Sequence, residues 1–214
     1  MENSYKKYDT YVSLGYNCEV SFRIQDFWGR LESYPLSWAY ILNRNYLIEA
    51  LNHLDKILTG DINVTPWHMV IDEDYKISLH LKLYTDKLFL DDGTLDIFYA
   101  SKSIFELKSR FSHLVNKFLD LLKSEKRTLF IIKVLPTEVH EQWLIDLYNW
   151  LNIHYISGKW NLLIVLEERS EEPNGEFWSQ AEKALIAKVP FFAPDSDTKL
   201  GGCPKEWGKI LRNA

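Results

Sequence analysis

The sequence predicts an α/β fold: a three-layer single domain whose mostly parallel central sheet is flanked by helices. Three observations carry the prediction. TLFIIKVL (128–135) and NLLIVLEE (161–168) are near-continuous apolar runs, as expected of strands buried on both faces of a sheet. An amphipathic stretch lies between them, so residues 128–166 read as strand, helix, strand, long enough for a right-handed parallel crossover. YDTYVSLGYNCEVSFRI (8–24) changes from a strand to the period of a helix across a Gly-Tyr-Asn turn. Buried strands alternating with amphipathic helices are what a layered α/β domain requires.

Taken in order, the first strand covers about residues 9–14. Residues 17–28 form a helix with Val20, Ile24, Phe27 and Trp28 on one face. SYPLSW (33–38) is a turn, extended at its Pro. A second helix runs from about 44 to 58, with Leu47, Leu51, Leu54 and Leu58 on one side. Strands at 67–71 and 75–84 flank a turn at 72–74. In the second of them Ile77, Leu79, Leu81 and Leu83 alternate with Lys76, Ser78, His80 and Lys82. The longest helix, 102–123, is striped by Ile104, Leu107, Phe111, Leu114, Phe118 and Leu121. After strand 128–135, Thr137 caps a helix that turns Val139, Trp143, Leu147 and Leu151 inward. KALIAKV (183–189) supplies one more strand. The single α/β domain spans 1–192, and 193–214, rich in Pro, Gly and Asp, is a C-terminal surface-wrapping tail.

With 214 residues, 46% hydrophobic and 26% charged, the chain can bury a core without staples. The formal net charge is -5 and Lys and Arg are scattered, so nucleic acid is not an expected partner. There is no apolar leader in MENSYKKYDT and no transmembrane segment, and a cytoplasmic protein is expected. The two cysteines, Cys18 and Cys203, are far apart and form no CxxC, which excludes the usual disulfide and zinc frameworks. GxGxxG, P-loop, GxSxG and HExxH motifs are all missing, so no cofactor and no metal are expected. The expected partner is a small molecule, a glycan or a peptide. Aromatic residues reach 14%, which suits either a large core or stacking surfaces for a glycan.

Ligands of open parallel sheets bind outside the carboxyl ends of the strands. Cys18 lies just beyond the end of the first strand. With Asn17 as N-cap, Cys18 falls in the first turn of its helix, where free amides and the helix dipole favour a thiolate. The same amides, with Gly15 and Asn17 shaping the turn, suit a developing oxyanion. Of six histidines, His80 on the polar side of its strand is the favoured base and His68 the second choice. His53, His113, His140 and His154 read as surface or partly buried groups. Glu167, Glu168, Glu171 and Glu172 read as a solvated loop, and Asp91 and Asp92 before Gly93 as a turn.

The order YDTYVSLGYNC, YPLSW, a strand with a histidine, a helix with Arg110, and TLFIIKV resembles a bacterial family described as papain-like cysteine peptidases, domain of unknown function 1796. The resemblance runs from about Tyr8 to Leu166. It implies a single α/β domain, with some members encoded near surface-polysaccharide genes. The family cysteine falls on Cys18, with Ser13, Leu14, Gly15 and Asn17 matching around it. The family's Pro-Phe-Asp-Trp turn matches at Pro35 and Trp38 and departs at Leu36 and Ser37. Its His-Asp element falls on His80 and departs at Leu81, and its arginine falls on Arg110. Both departures remove a carboxylate, so the group that would orient the histidine passes to Asn17 or Ser37. The strand-turn-helix also resembles the first block of SGNH-type esterases, with Cys in place of Ser. Papain-like folds carry their cysteine on a long helix followed by a separate antiparallel sheet, which the strand-helix-strand pattern here does not match.

These readings give two expectations. One is a thiol-dependent hydrolase or acyltransferase, acting on a peptide or on an ester or acyl group of a glycan. Cys18 is its nucleophile, His80 its general base, and Trp38, Ser37 and Arg110 bind the substrate. The other is a non-catalytic glycan or nucleotide-sugar binding protein linked to surface-polysaccharide metabolism, using the same cleft.

Overall fold

A computed structural model describes residues 7–29, 32–65, 69–80, 89–90, 93–138, 142–173, 181–195, 199 and 201–214. In chain order the elements are β1 (Thr10–Ser13), α1 (Glu19–Trp28), β2 (Ala39–Ile41), α2 (Leu47–Asn52), β3 (Ile62–Val64), β4 (Met69–Asp72), β5 (Ile77–His80), α3 (Ile97–Leu122), β6 (Thr128–Lys133), α4 (Gln142–His154), β7 (Trp160–Glu167), β8 (Ala184–Val189) and α5 (Pro204–Asn213). Four strands form an all-parallel sheet in the order β1-β6-β7-β8. The other four form a small antiparallel sheet in the order β2-β5-β4-β3. The fold is therefore α/β in one domain.

The apolar run of β6 explains the layers. Alternate side chains of a strand point to opposite faces. Phe130 and Ile132 join one core with Val12, Leu162 and Ile164, covered by Leu51 of α2, Phe111 and Phe118 of α3, and Leu147 of α4. Leu129 and Ile131 join a second core with Leu163 and Val165, covered by Val20 and Ile24 of α1 and by Trp207 and Leu211 of α5. A strand between two apolar layers needs apolar residues at every position, which is why its pattern is continuous rather than alternating. Each large side chain buried this way contributes about 1.5–3 kcal/mol.

Three expected elements take another form. The helix expected over 44–58 is a 3-10 turn (Arg44–Tyr46), then α2, which stops at Asn52. Leu58 takes a positive φ of 68°, and its N–H donates to the fully buried Asp72 carboxylate at 2.6 Å. A long-range acceptor thus anchors the turn that follows the helix, while Leu47, Leu51, Leu54 and Leu58 all remain buried. Thr137 does not cap α4: it lies in a 3-10 turn, Pro136–Glu138, and Val139 is outside the described residues. In the C-terminal segment 193–214, α5 begins with Pro204 and sinks Trp207 and Leu211 into the second core. Among the described residues, no helix is long and apolar enough to cross a membrane.

Candidate functional site

The turn after β1 is built by backbone geometry. Gly15 and Tyr16 both have φ of 85°. A Cβ at Gly15 would lie 2.9 Å from Ile41 Cδ1 and 3.3 Å from the Leu36 carbonyl oxygen, so glycine is needed for both conformation and space. Asn17 Oδ1 accepts from the Glu19 N–H at 3.1 Å. Asn17 therefore satisfies a free amide at the helix start, although Cys18, not Asn17, holds the N-cap position. Cys18 is half-buried, and its Sγ is 4.0 Å from the Trp38 carbonyl oxygen, to which it donates. Burial pushes the thiol up to about 11, and the positive charge of Lys133 only partly opposes this. Desolvation disfavours the thiolate that position alone would lead one to expect.

SYPLSW shapes a pocket beside this turn. The Ser37 N–H donates to the Tyr34 carbonyl at 3.0 Å, and Ser37 Oγ accepts from the Tyr34 N–H at 3.0 Å. Ser37 is fully buried, and its carbonyl accepts from Ser21 Oγ. Ser37 is thus a brace beneath the pocket rather than a wall of it. Trp38 Nε1 donates to Ser33 Oγ at 2.9 Å, which fixes the indole. Ala39 pairs with Leu79 across the β2–β5 ladder, so Trp38 and His80 emerge side by side at its end. Arg110 of α3 donates to the His80 carbonyl at 3.4 Å. Together they enclose a cavity of about 420 Å³. Its walls are mainly apolar, with Trp38, Leu79, Leu107 and Phe111, and its polar groups are Ser33, His80 and Arg110. Partial burial lowers the His80 pKa, which favours neutral imidazole.

Trp38, His80 and Arg110 of the expected residues therefore meet. Gly15, Asn17 and Cys18 form the adjoining turn, in touch with the pocket through the Trp38 carbonyl. Among the described residues, no hydrogen bond joins Cys18 to His80. The groups expected to orient His80 are engaged elsewhere: the Asn17 amide donates to Asp195 Oδ1 at 2.8 Å, and the Ser37 hydroxyl serves Tyr34. His53 pairs with Glu49 at 3.0 Å, His113 is exposed and His154 stacks on Trp150. His68 and His140 lie outside the described residues.

A second group of side chains at the carboxyl edge of the parallel sheet was absent from the expectations. Lys133, the last residue of β6, is 1% exposed and donates to Glu19 Oε2 at 2.9 Å. Glu19 Oε1 accepts from the Ala193 N–H at 3.1 Å and faces Arg23 Nε at 3.9 Å. Arg44 donates to the Lys133 carbonyl at 2.9 Å, pairs with Glu138 at 3.5 Å and lies 4.5 Å over the Tyr16 ring. Asp195 closes the group from the C-terminal segment, accepting from Asn17 and, at 3.3 Å, from Tyr40 Oη. Burial lowers the Lys133 pKa and the Glu19 carboxylate pushes back. A signal was present in the sequence: a lysine closing an otherwise apolar strand, TLFIIK, needs a buried partner.

Compared with protein-family models, with curated proteins and with solved structures, the chain finds no match in any of the three.

Proposed function

We propose that this chain binds a small organic molecule with an apolar body and an anionic group, and that it does so without covalent chemistry. The cavity of about 420 Å³ beside Trp38 carries the reading. Its size falls in the range of small-molecule sites, and apolar walls with a few convergent polar groups are their usual form. Trp38 and Phe111 offer apolar contact, and Arg110 an anion partner. A bare glycan, with many hydroxyls to satisfy, suits such a lining less well than a glycan carrying an apolar substituent. On this reading the SLGYNC turn, which resembles that of the domain of unknown function 1796 family, is scaffold, and the protein works in the cytoplasm. Two free cysteines support a reducing compartment. The net charge of -5 argues against a nucleic-acid partner.

The thiol hydrolase or acyltransferase is the second reading, favoured by the place of Cys18 at a strand end beside Lys133. It requires His80 to move to the thiol on substrate binding.

The test of the first reading uses 8-anilinonaphthalene-1-sulfonate, an apolar fluorophore with one anionic group. The native chain binds one equivalent, with energy transfer from tryptophan. Leu107→Trp fills the cavity and abolishes binding, and Arg110→Ala weakens it. Binding unaffected by both substitutions, in folded variants, would sink the reading.

A further inference from the structure

We propose that the carboxyl edge of the parallel sheet is a second binding site, for an oxyanion (carboxylate or phosphate) of a small molecule, and that the Asp195 side chain fills it in this structure. The site does not depend on the Trp38 pocket. Four parallel strands end at this edge, the place where open α/β sheets bind ligands.

The charges there are those of a liganded site. Arg23, Arg44 and Lys133 face Glu19, Glu138 and Asp195. Asp26 touches Arg23 from the rim, 55% exposed, and Glu167 is paired separately with Arg169. Asp195 is itself exposed; without it the three buried or nearly buried cations would face Glu19, Glu138 and, at the rim, Asp26. A single external carboxylate group in place of Asp195 leaves the local charge unchanged.

Donor capacity is also left over. Arg44 is 4% exposed and, among the described residues, its Nη1 has no hydrogen-bond partner. A buried guanidinium donor without a partner is costly, and an oxyanion with more oxygens than one carboxylate can reach more donors. Among the described residues, Asp195 is held by two side-chain donors: Asn17 Nδ2 at 2.8 Å and the solvent-facing Tyr40 Oη at 3.3 Å. Two neutral donors before a buried lysine that feels the Asp195 charge form a carboxylate-recognition pattern, reachable from solvent on the Tyr40 side. Tyr16, strained at positive φ, supplies the ring against which both Arg44 and Lys133 rest, at 4.5 and 4.9 Å.

The test titrates inorganic phosphate and succinate at constant ionic strength, with chloride as control, by isothermal titration and thermal unfolding. Asp195→Asn keeps the side-chain shape and removes its charge, and this variant binds one or both probes about tenfold more tightly than the native chain. Adding Tyr40→Phe or Arg44→Gln to a folded Asp195→Asn chain removes the gain. Binding of phosphate alone, or of succinate alone, supports the site and identifies the anion it takes. Equal responses of the native chain and Asp195→Asn to both probes and to chloride overturn the proposal and leave Asp195 a structural latch. If Asp195→Asn does not fold, the native chain decides by NMR. The Asn17 side-chain amide signal moves with phosphate or succinate and not with chloride; a signal indifferent to all three overturns the proposal.

Discussion

The pocket beside Trp38 and the charged group beneath Asp195 flank the same turn, yet they are built from opposite materials. The pocket is apolar with polar groups at its margin, and its shape comes from strand pairing and from the Tyr34–Trp38 turn. The charged group is made almost wholly of ions, held by mutual neutralisation. Cys18 stands between them, giving its thiol hydrogen to the Trp38 carbonyl on one side and feeling the charge of Lys133 on the other. The contrast shows where each region is vulnerable. Loss of a pocket residue is expected to remove the proposed binding and leave the fold, whereas loss of one buried ion strips another of a counterion.

The largest expected effect follows from that difference. Lys133→Met leaves Glu19 buried with only the more distant Arg23, 3.9 Å away, as counterion and costs about 3–5 kcal/mol of stability in urea denaturation. Adding Glu19→Gln recovers much of it. A Lys133→Met chain as stable as the native one would mean that the charged group contributes nothing to folding. Next comes the shared turn. Gly15→Ala must place a methyl at positive φ against Ile41 and the Leu36 carbonyl, at about 1–3 kcal/mol. It should disturb probe binding in the Trp38 pocket as well, because Ile41 and Leu36 lie beside that pocket's turn. A stability loss with unchanged binding would separate turn from pocket.

A smaller effect is expected from His80. Its pKa is lowered in the folded chain, so the unfolded chain takes up the proton more readily. Stability is full above the unfolded value of about 6.5 and declines as pH falls from there through the folded value. His80→Asn should flatten this segment of the stability profile between pH 7 and 5. His80 is exposed, so solvent keeps the effect modest. Identical profiles would show that its ring is not desolvated.

Much of the fold was legible because its signals are local and repeated. The continuous apolar runs marked β6 and β7, and the stripe from Leu107 to Leu121 marked α3. What was missed depends on partners distant in sequence. The buried turn that follows α2 is tied down by an acceptor 14 residues beyond Leu58, at Asp72. β2 and β3 have three residues each, too short to show a period. α5 did carry a signal, Pro204 followed by Trp207, Ile210 and Leu211 at helical spacing, hidden by its glycines and polar residues. At the site, His80 was legible from the alternation of its strand and Trp38 and Arg110 from the family resemblance, but that the three meet comes from the β2–β5 pairing and the helix packed beside it. Glu19, Arg44, Lys133 and Asp195 come from four separate segments, and only folding shows that their charges cancel.

On the proposed function, Cys18 is a neutral hydrogen-bond donor at the seam and the pocket beside it performs the binding. The pH dependence of Cys18 alkylation, read by mass spectrometry on the native chain with Cys203 as internal reference, tests this most directly. The account predicts slow reaction at neutral pH, a rate that climbs towards a midpoint near 11, and no change in His80→Ala. A midpoint below the ordinary thiol value of about 8.5, lost in His80→Ala, would contradict it and make Cys18 and His80 a catalytic pair.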